Sequence, residues 1–267
     1  MPSITSKDIR SRVQVNIPFS MLWDRYADVF LAEGLNPEIG IDAAALDRFS
    51  HAEFTDMAIQ LRRRGVTITL HGPFFDLSPG SVDPQVIGVT RRRFGQLIDL
   101  VPIFRPVTVV CHAGYEWKRY GWVRDQWVEN SLATWRWLGG ELLALDSRLM
   151  LENVYEKRPE DIRIFYEKLG DQRVGFCLDT GHQAAFSRTS LSEWLDSLGP
   201  FLGQLHLHDN HGQEDDHIAL GRGCIDFPTL LTRLKQAFPK PPVITLEPHE
   251  EDALGPSLDY LARIWPW

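Results

Sequence analysis

The stretch VITLE, residues 243–247, is the last of six short apolar runs that each end on His, Asp or Glu. The other five read VTITLH (66–71), VTVVCH (107–112), LMLE (149–152), GFCLD (175–179) and QLH (204–206). Runs of aliphatic and β-branched residues are typical of strands buried on both faces, as in a parallel sheet. Because the carboxyl ends of such strands face the active site, the pattern predicts a parallel α/β fold with a polar site along one edge.

Strand-like and helix-like stretches alternate eight times through the 267 residues. The predicted strands are 12–18, 37–42, 66–71, 107–112, 148–153, 174–179, 204–208 and 243–247, and the predicted helices are 21–32, 54–64, 84–100, 123–145, 159–169, 191–198, 227–238 and 257–264. A closed barrel of eight such units typically needs about 250 residues. The sequence therefore predicts one single-domain (β/α)₈ TIM barrel over residues 1–267, with an open doubly wound sheet as the alternative.

Composition restricts the classes of partner. The chain is 43% hydrophobic and 24% charged, with a net charge of −8, which disfavours a nucleic-acid partner without excluding it. No apolar run approaches the ~18 residues of a membrane span, and the first residues lack an apolar signal core. The three Cys show no paired spacing, so we expect reduced thiols and a cytoplasmic protein without membrane partners. Nothing in the sequence indicates the oligomeric state.

Residues that bind metals are concentrated at the predicted strand ends. Glu152, Asp179, His206 and Glu247 end strands five to eight, and three carboxylates with one imidazole suit Mn²⁺, Mg²⁺, Co²⁺ or Zn²⁺. Further candidate ligands are His71 and His112 at strands three and four, His182 three residues after Asp179, and the Asp215-x-His217 pair in the longest loop. Nine ligands exceed the needs of one ion. They predict either two or three metals, or one metal with the other groups binding substrate.

The ordered motifs HGPF, CHAG, LEN, LDTGH, HLHD, DDHIALGRG and LEPH resemble those of the xylose isomerase-like TIM barrels. That superfamily includes sugar isomerases and epimerases, and also endonuclease IV. The resemblance to the epimerases implies one divalent ion held by Glu152, Asp179, His206 and Glu247. The resemblance to endonuclease IV implies a trinuclear zinc cluster at positions that match all nine candidate ligands.

The expected activity is metal-dependent isomerisation or epimerisation of a small sugar, sugar acid or sugar phosphate, by proton transfer next to a carbonyl. Glu247 and Glu152, as the epimerase resemblance implies, would remove and return the proton on opposite faces of the substrate carbon, and His182 would hold a substrate oxygen. The alternative is an endonuclease IV-like phosphodiester hydrolase with two or three zinc ions. The acidic chain favours the first hypothesis, because DNA binding relies on basic side chains.

Substrate contacts are expected from the loops at the same edge. Phe74 and Trp117 either wall a pocket or pack the loops onto the barrel, and Lys118 and Arg222 are loop cations able to hold a phosphate. His208 shares a strand face with His206, where it contacts the substrate or supports a metal ligand. The epimerases hold substrate through a second Glu and an Arg. The nearest residues here, Glu156 and Arg222, are both displaced from the family spacing.

Overall fold

The computed structural model describes residues 4–267 and contains eight parallel strands in one closed barrel. The strands are β1 Gln14–Pro18, β2 Asn36–Gly40, β3 Thr69–His71, β4 Thr108–His112, β5 Arg148–Glu152, β6 Gly175–Asp179, β7 Leu202–Leu207 and β8 Val243–Leu246. Each strand pairs with the next along the chain, and β8 pairs with β1, so the predicted (β/α)₈ barrel is confirmed. The open-sheet alternative is wrong, because Gln14 pairs with Thr245 and Val15 with Leu246 to close the barrel.

Helices surround the strands as the alternating pattern predicts. They are Ser6–Arg10, Phe19–Met21, Ala27–Glu33, Ala43–Arg48, His51–Arg64, Pro84–Phe104, Trp117–Tyr120, Arg124–Ala144, Arg163–Lys168, Thr180–Phe186, Leu191–Leu198, Phe227–Ala237 and Leu254–Ile264, with a π-helical turn at Leu22–Tyr26. Five short 3₁₀ turns complete the elements: Gly121–Val123, Pro159–Asp161, Gly170–Gln172, Gly199–Phe201 and Glu251–Ala253.

The structure corrects several of the predicted helix boundaries. The helix expected from residue 54 begins at His51, because Ser50 and Glu53 form a capping box. The helix expected to end at residue 100 continues through Pro102 to Phe104. Four helices were not predicted, since each is too short to show a helical apolar period: Ser6–Arg10, Ala43–Arg48, Trp117–Tyr120 and Thr180–Phe186.

Strand side chains alternate between two environments. On β4 to β6, the residues Val110, Met150 and Cys177 form a small apolar cluster separate from the main core. Each lies two residues before the strand's last residue, so it shares that residue's face of the sheet. The main core lies on the other face, against the helices, where Trp127 and Trp135 are fully buried. The period of two therefore places the polar strand ends above the interior of the barrel.

Among residues 4–267, no helix is both long enough and apolar enough to cross a membrane.

Candidate metal centre

The nine predicted ligands lie together at the carboxyl edge of the barrel. Five of them are on the strands: His71, His112, Glu152, Asp179 and His206. Glu247 directly follows β8, and the loops after β6 and β7 bring His182, Asp215 and His217. Pairing of His112 with Glu152 and of Asp179 with His206 sets neighbouring ligands at the same height of the barrel.

His71, His112 and Glu152 form the first ligand group. The Nε2 atoms of His71 and His112 lie 3.1 Å and 3.7 Å from Glu152 Oε2. His71 Nδ1 lies 3.0 Å from the carbonyl oxygen of Gly72, to which it donates, so Nε2 is the nitrogen turned toward Glu152. Burial lowers the pKa of His112 to about 3, which leaves that ring neutral and able to bind a cation.

The second group surrounds His206 Nδ1. This atom lies 3.0 Å from Glu247 Oε1, 3.5 Å from Glu152 Oε2 and 3.9 Å from Asp179 Oδ2. His206 Nε2 lies 2.9 Å from Glu38 Oε1, to which it donates. Glu152 thus contributes to both the first and the second group.

His182, Asp215 and His217 form the third group, together with His208. The Nε2 atoms of His182 and His217 both lie 3.2 Å from Asp215 Oδ2. Their Nδ1 atoms lie 3.0 Å and 3.1 Å from the carbonyl oxygens of Asn153 and Glu247. Burial would raise the pKa of Asp215, but hydrogen bonds from His182 and His217 outweigh it and lower that pKa.

The donor set fits divalent metal ions. Four ligand imidazoles each give one ring nitrogen to a carbonyl or carboxylate and turn the other toward the ligand carboxylates, as metal-binding histidines commonly do. Within residues 4–267, the buried atoms Asp179 Oδ2, His206 Nδ1 and Asp215 Oδ1 have no hydrogen-bond partner. The close contacts of His206 Nδ1 therefore lack hydrogen-bond geometry. Unpartnered buried lone pairs are costly, and bound cations would satisfy them.

Glu38 is a further candidate residue of the site that sequence reasoning missed. It is fully buried at the middle of β2, where the Oγ1 atoms of Thr69 and Thr245 donate to its Oε2 at 2.9 Å and 3.1 Å. Gln204 Nε2 donates to the same oxygen. Burial would raise the pKa of Glu38, but contact with His206 outweighs it and lowers that pKa. The available signal was the acidic side chain of Glu38 inside β2, a strand in which every residue but the last is buried.

Two neighbours of the third group, Gly181 and His208, fit closely together. A Cβ at Gly181 would lie 1.9 Å from His208 Cε1, so the DTGH turn approaches that ring as only glycine allows. His208 Nε2 lies 3.1 Å from Asp179 Oδ1, and its ring stacks on His217 at a centroid distance of 3.6 Å. His208 therefore supports two of the ligands.

The loop after β7 is anchored by Asp209. Its carboxylate accepts hydrogen bonds from the amides of Gly221, Gly223 and Ile225 at 3.0, 2.8 and 3.2 Å. Asp209 also forms an isolated bridge with Ile218. A Cβ at Gly223 would lie 2.1 Å from the carbonyl oxygen of Asn210, which explains a glycine there. This anchoring holds the Asp215–His217 segment over the barrel.

A cavity of about 580 Å³ opens above the ligands. Seven of the nine predicted ligands line it, as does Phe74, which stacks on His112 at 4.2 Å. His249, an exposed residue in the loop after β8, also lines the cavity and stacks on His217 at 3.5 Å.

The other predicted substrate contacts lie elsewhere. Within residues 4–267, the lining of this cavity does not include Trp117, Lys118 or Arg222, all of which are exposed. Glu156 is buried and accepts hydrogen bonds from the amides of Tyr115 and Val154 at 2.9 Å and 2.6 Å. Its carboxylate is therefore committed to the backbone.

The family profile described as "Xylose isomerase-like TIM barrel" matches residues 37–264, so the chain belongs to that family. It is 26% identical over 190 residues to the probable endonuclease 4 of Mycobacterium leprae, covering 66% of this chain and 72% of the relative. It is 27% identical over 186 residues to the MJ1311 protein of Methanocaldococcus jannaschii, covering 67% of this chain. The match covers 64% of that relative, so the chain spans less than two thirds of its length.

Solved structures show the same fold. The TTHB071 protein of Thermus thermophilus, from a crystal soaked with ZnCl₂, aligns with a TM-score of 0.81 at 29% identity. That alignment covers 95% of this chain and 98% of the other. A D-tagatose 3-epimerase-like protein aligns with a TM-score of 0.80 at 20% identity, covering 95% and 96% of the two chains. At that identity the second likeness shows the fold alone.

Proposed function

We propose that the protein is a metal-dependent hydrolase that cleaves a phosphate ester at a centre of two or three divalent ions. The carrying observation is that the nine predicted ligands adjoin one another around Glu152, whose Oε2 faces His71 and His206 and whose Oε1 lies 3.0 Å from His182 Nδ1. A single ion in a site of this type uses about four to six ligands. Similarity to proteins named endonuclease 4 and to a structure from a zinc-soaked crystal supports hydrolysis and zinc.

The chain's own residues prepare the site for such chemistry. Bound divalent ions would supply Lewis acidity that activates water and neutralises the charge of a phosphoryl group. Glu152 faces the first two groups through one oxygen, which fixes their relative position. His182 and His217 present Nε2 because carbonyl oxygens hold their Nδ1 hydrogens. Phe74 stacks on His112 and places an apolar ring against that ligand.

The metal count tests the proposal. Chelated protein titrated with Zn²⁺ in a calorimeter should bind two or three equivalents, and metal analysis should agree. Asp215→Asn should lose one equivalent, because Asp215 joins His182 and His217 in the third group. Asp216→Asn is the matched control, since Asp216 is the exposed neighbour. A single equivalent that Asp215→Asn leaves intact would contradict the multinuclear centre.

A one-ion isomerase or epimerase of a small sugar, sugar acid or sugar phosphate is the second candidate. It is supported by the three carboxylates of Glu152, Asp179 and Glu247 around His206 Nδ1. Glu152 and Glu247 would then exchange the proton, with His182 on a substrate oxygen. The commitment of Glu156 to backbone amides weighs against it. Solvent deuterium entering a ketose next to its carbonyl, and lost in Glu247→Gln, would favour it.

A further inference from the structure

We infer that the substrate carries an apolar, uncharged group next to the phosphoryl group, and that it is a small molecule rather than a nucleic acid. The inference rests on the proposed hydrolysis for the position of the phosphoryl group. The wall of the cavity supplies the rest of the argument. The cavity of about 580 Å³ lies within the roughly 300–1,000 Å³ typical of small-molecule sites.

Exposed apolar side chains are concentrated at this cavity. Of eleven large apolar side chains that are exposed within residues 4–267, five line it. They are Met21, Val29, Phe74, Phe75 and Tyr155. Large apolar side chains left in contact with water at one concave site mark a surface that a ligand covers.

The charges of the wall point the same way. Among the described residues that line the cavity, none is Lys or Arg. Besides the predicted ligands, the ionised groups there are the acids Asp42, Glu250 and Glu251. Glu251 already pairs with Arg25 at 3.0 Å and accepts from Tyr26 Oη at 3.2 Å. A polynucleotide presents many phosphates and needs several cations to hold them, which this wall does not offer.

Two polar side chains of the wall are already engaged within the protein, which leaves fewer groups for a polyhydroxylated substrate. Sugar recognition relies on placed donors and acceptors, and the loss of each costs affinity. The Asn16 side chain at the cavity turns to Glu38, at 3.4 Å from Oε1, and Asp42 caps a helix through the Ala45 amide at 2.6 Å. The wall formed by Met21, Val29 and Phe75 therefore meets carbon rather than hydroxyl groups.

Binding of two non-hydrolysable probes tests the inference apart from turnover. Zn²⁺-loaded protein should bind phenylphosphonate at least about tenfold more tightly than methylphosphonate, because the phenyl ring buries apolar area on the wall. Val29→Lys should remove that preference, since it places a hydrated cation on the wall. Val89→Lys is the matched control, because Val89 is comparably exposed on the helix Pro84–Phe104 and lies outside the cavity lining.

Equal affinities for the two phosphonates would overturn the inference, whatever the enzyme hydrolyses. An unchanged preference in both Val29→Lys and Met21→Lys would also overturn it, and the second variant serves if the first does not fold. Failure of the proposed function would look different. The protein would then bind phenylphosphonate preferentially but cleave no phosphate ester, including bis(p-nitrophenyl) phosphate and abasic-site DNA.

Discussion

The mouth of the barrel has two arcs with different chemistry. The arc from β3 to β8 supplies all nine predicted metal ligands, whereas the arc after β1 and β2 supplies apolar residues such as Met21 and Val29. The ligands lie on strand ends or on loops tied to them. Of the exposed apolar residues at the cavity, Met21 and Val29 lie on helices that follow β1, whereas Phe74, Phe75 and Tyr155 lie in the loops after β3 and β5. The side of the mouth after β1 therefore contributes to the apolar wall without supplying a predicted metal ligand.

Removal of the shared carboxylate is the strongest way to test the ligand arc. Glu152→Gln should lose more than one metal equivalent, because Glu152 contacts both His71 and His206. Metal-dependent hydrolysis should fall by more than the roughly 10–100-fold typical when only an outer partner of a metal ligand is lost. Metal analysis and initial rates would measure both effects. Glu160→Gln is the control, because Glu160 is exposed, and it should change neither quantity. If Glu152→Gln lost only a single metal equivalent, the first and second groups would not be separate metal sites.

Glu156, which follows β5, should behave as a structural group rather than as a metal ligand like Glu152. Burial raises the pKa of Glu156 to about 7 from its usual 4.5. The folded protein therefore holds the proton of Glu156 more tightly than the unfolded chain does. The resulting contribution to the free energy of unfolding is full below pH 4.5 and is lost as pH rises through 7. The free energy of unfolding of the parent relative to Glu156→Gln should fall by up to about 3 kcal/mol between pH 4.5 and pH 8.

Urea unfolding of the metal-free proteins at several pH values would measure that difference. A difference that stays constant from pH 4.5 to pH 8 would show that Glu156 titrates at the same pH when folded and unfolded.

The smallest expected effect is at Glu38, which lies on the apolar arc's strand β2 but serves the ligand arc. Glu38→Gln keeps the shape but weakens the acceptor for His206 Nε2, 2.9 Å away. The affinity for Zn²⁺ should fall about 10–100-fold with the fold intact. Competition with a chelator measures the affinity, and circular dichroism checks the fold. Unchanged affinity for Zn²⁺ would place Glu38 outside the metal centre. The metal site would then depend only on residues from β3 to β8.

The ligand arc was predictable from sequence because strand ends combine two local signals. An apolar run marks the strand, and its last residue lies at the carboxyl edge of a parallel barrel. Glu38 escaped because its partner His206 lies far along the chain, on β7, and only barrel closure brings the two together.

The apolar arc was not predictable, for a related reason. Met21 and Val29 belong to a helical stretch in which apolar residues ordinarily face the core, and no local pattern separates a core face from a cavity face. The same limit applies to Lys118 and Arg222, which were expected in loops at the mouth. Lys118 lies instead on the helix Trp117–Tyr120, and the side chains of both residues lie outside the cavity lining among the described residues. Loop direction depends on anchors such as Asp209, which act across many residues.

The closure of the barrel has a consequence for breathing motions. β1 pairs with β2 at five positions but with β8 at only two, Gln14 with Thr245 and Val15 with Leu246. Amide hydrogen exchange should be faster between β1 and β8 than between β1 and β2 in the metal-free protein, because fewer paired positions must separate there. Glu247 directly follows β8, so an ion that it shares with His206 would link the last strand to the rest of the mouth. Metal loading should therefore slow hydrogen exchange between β1 and β8, even though the residues paired there include no predicted ligand.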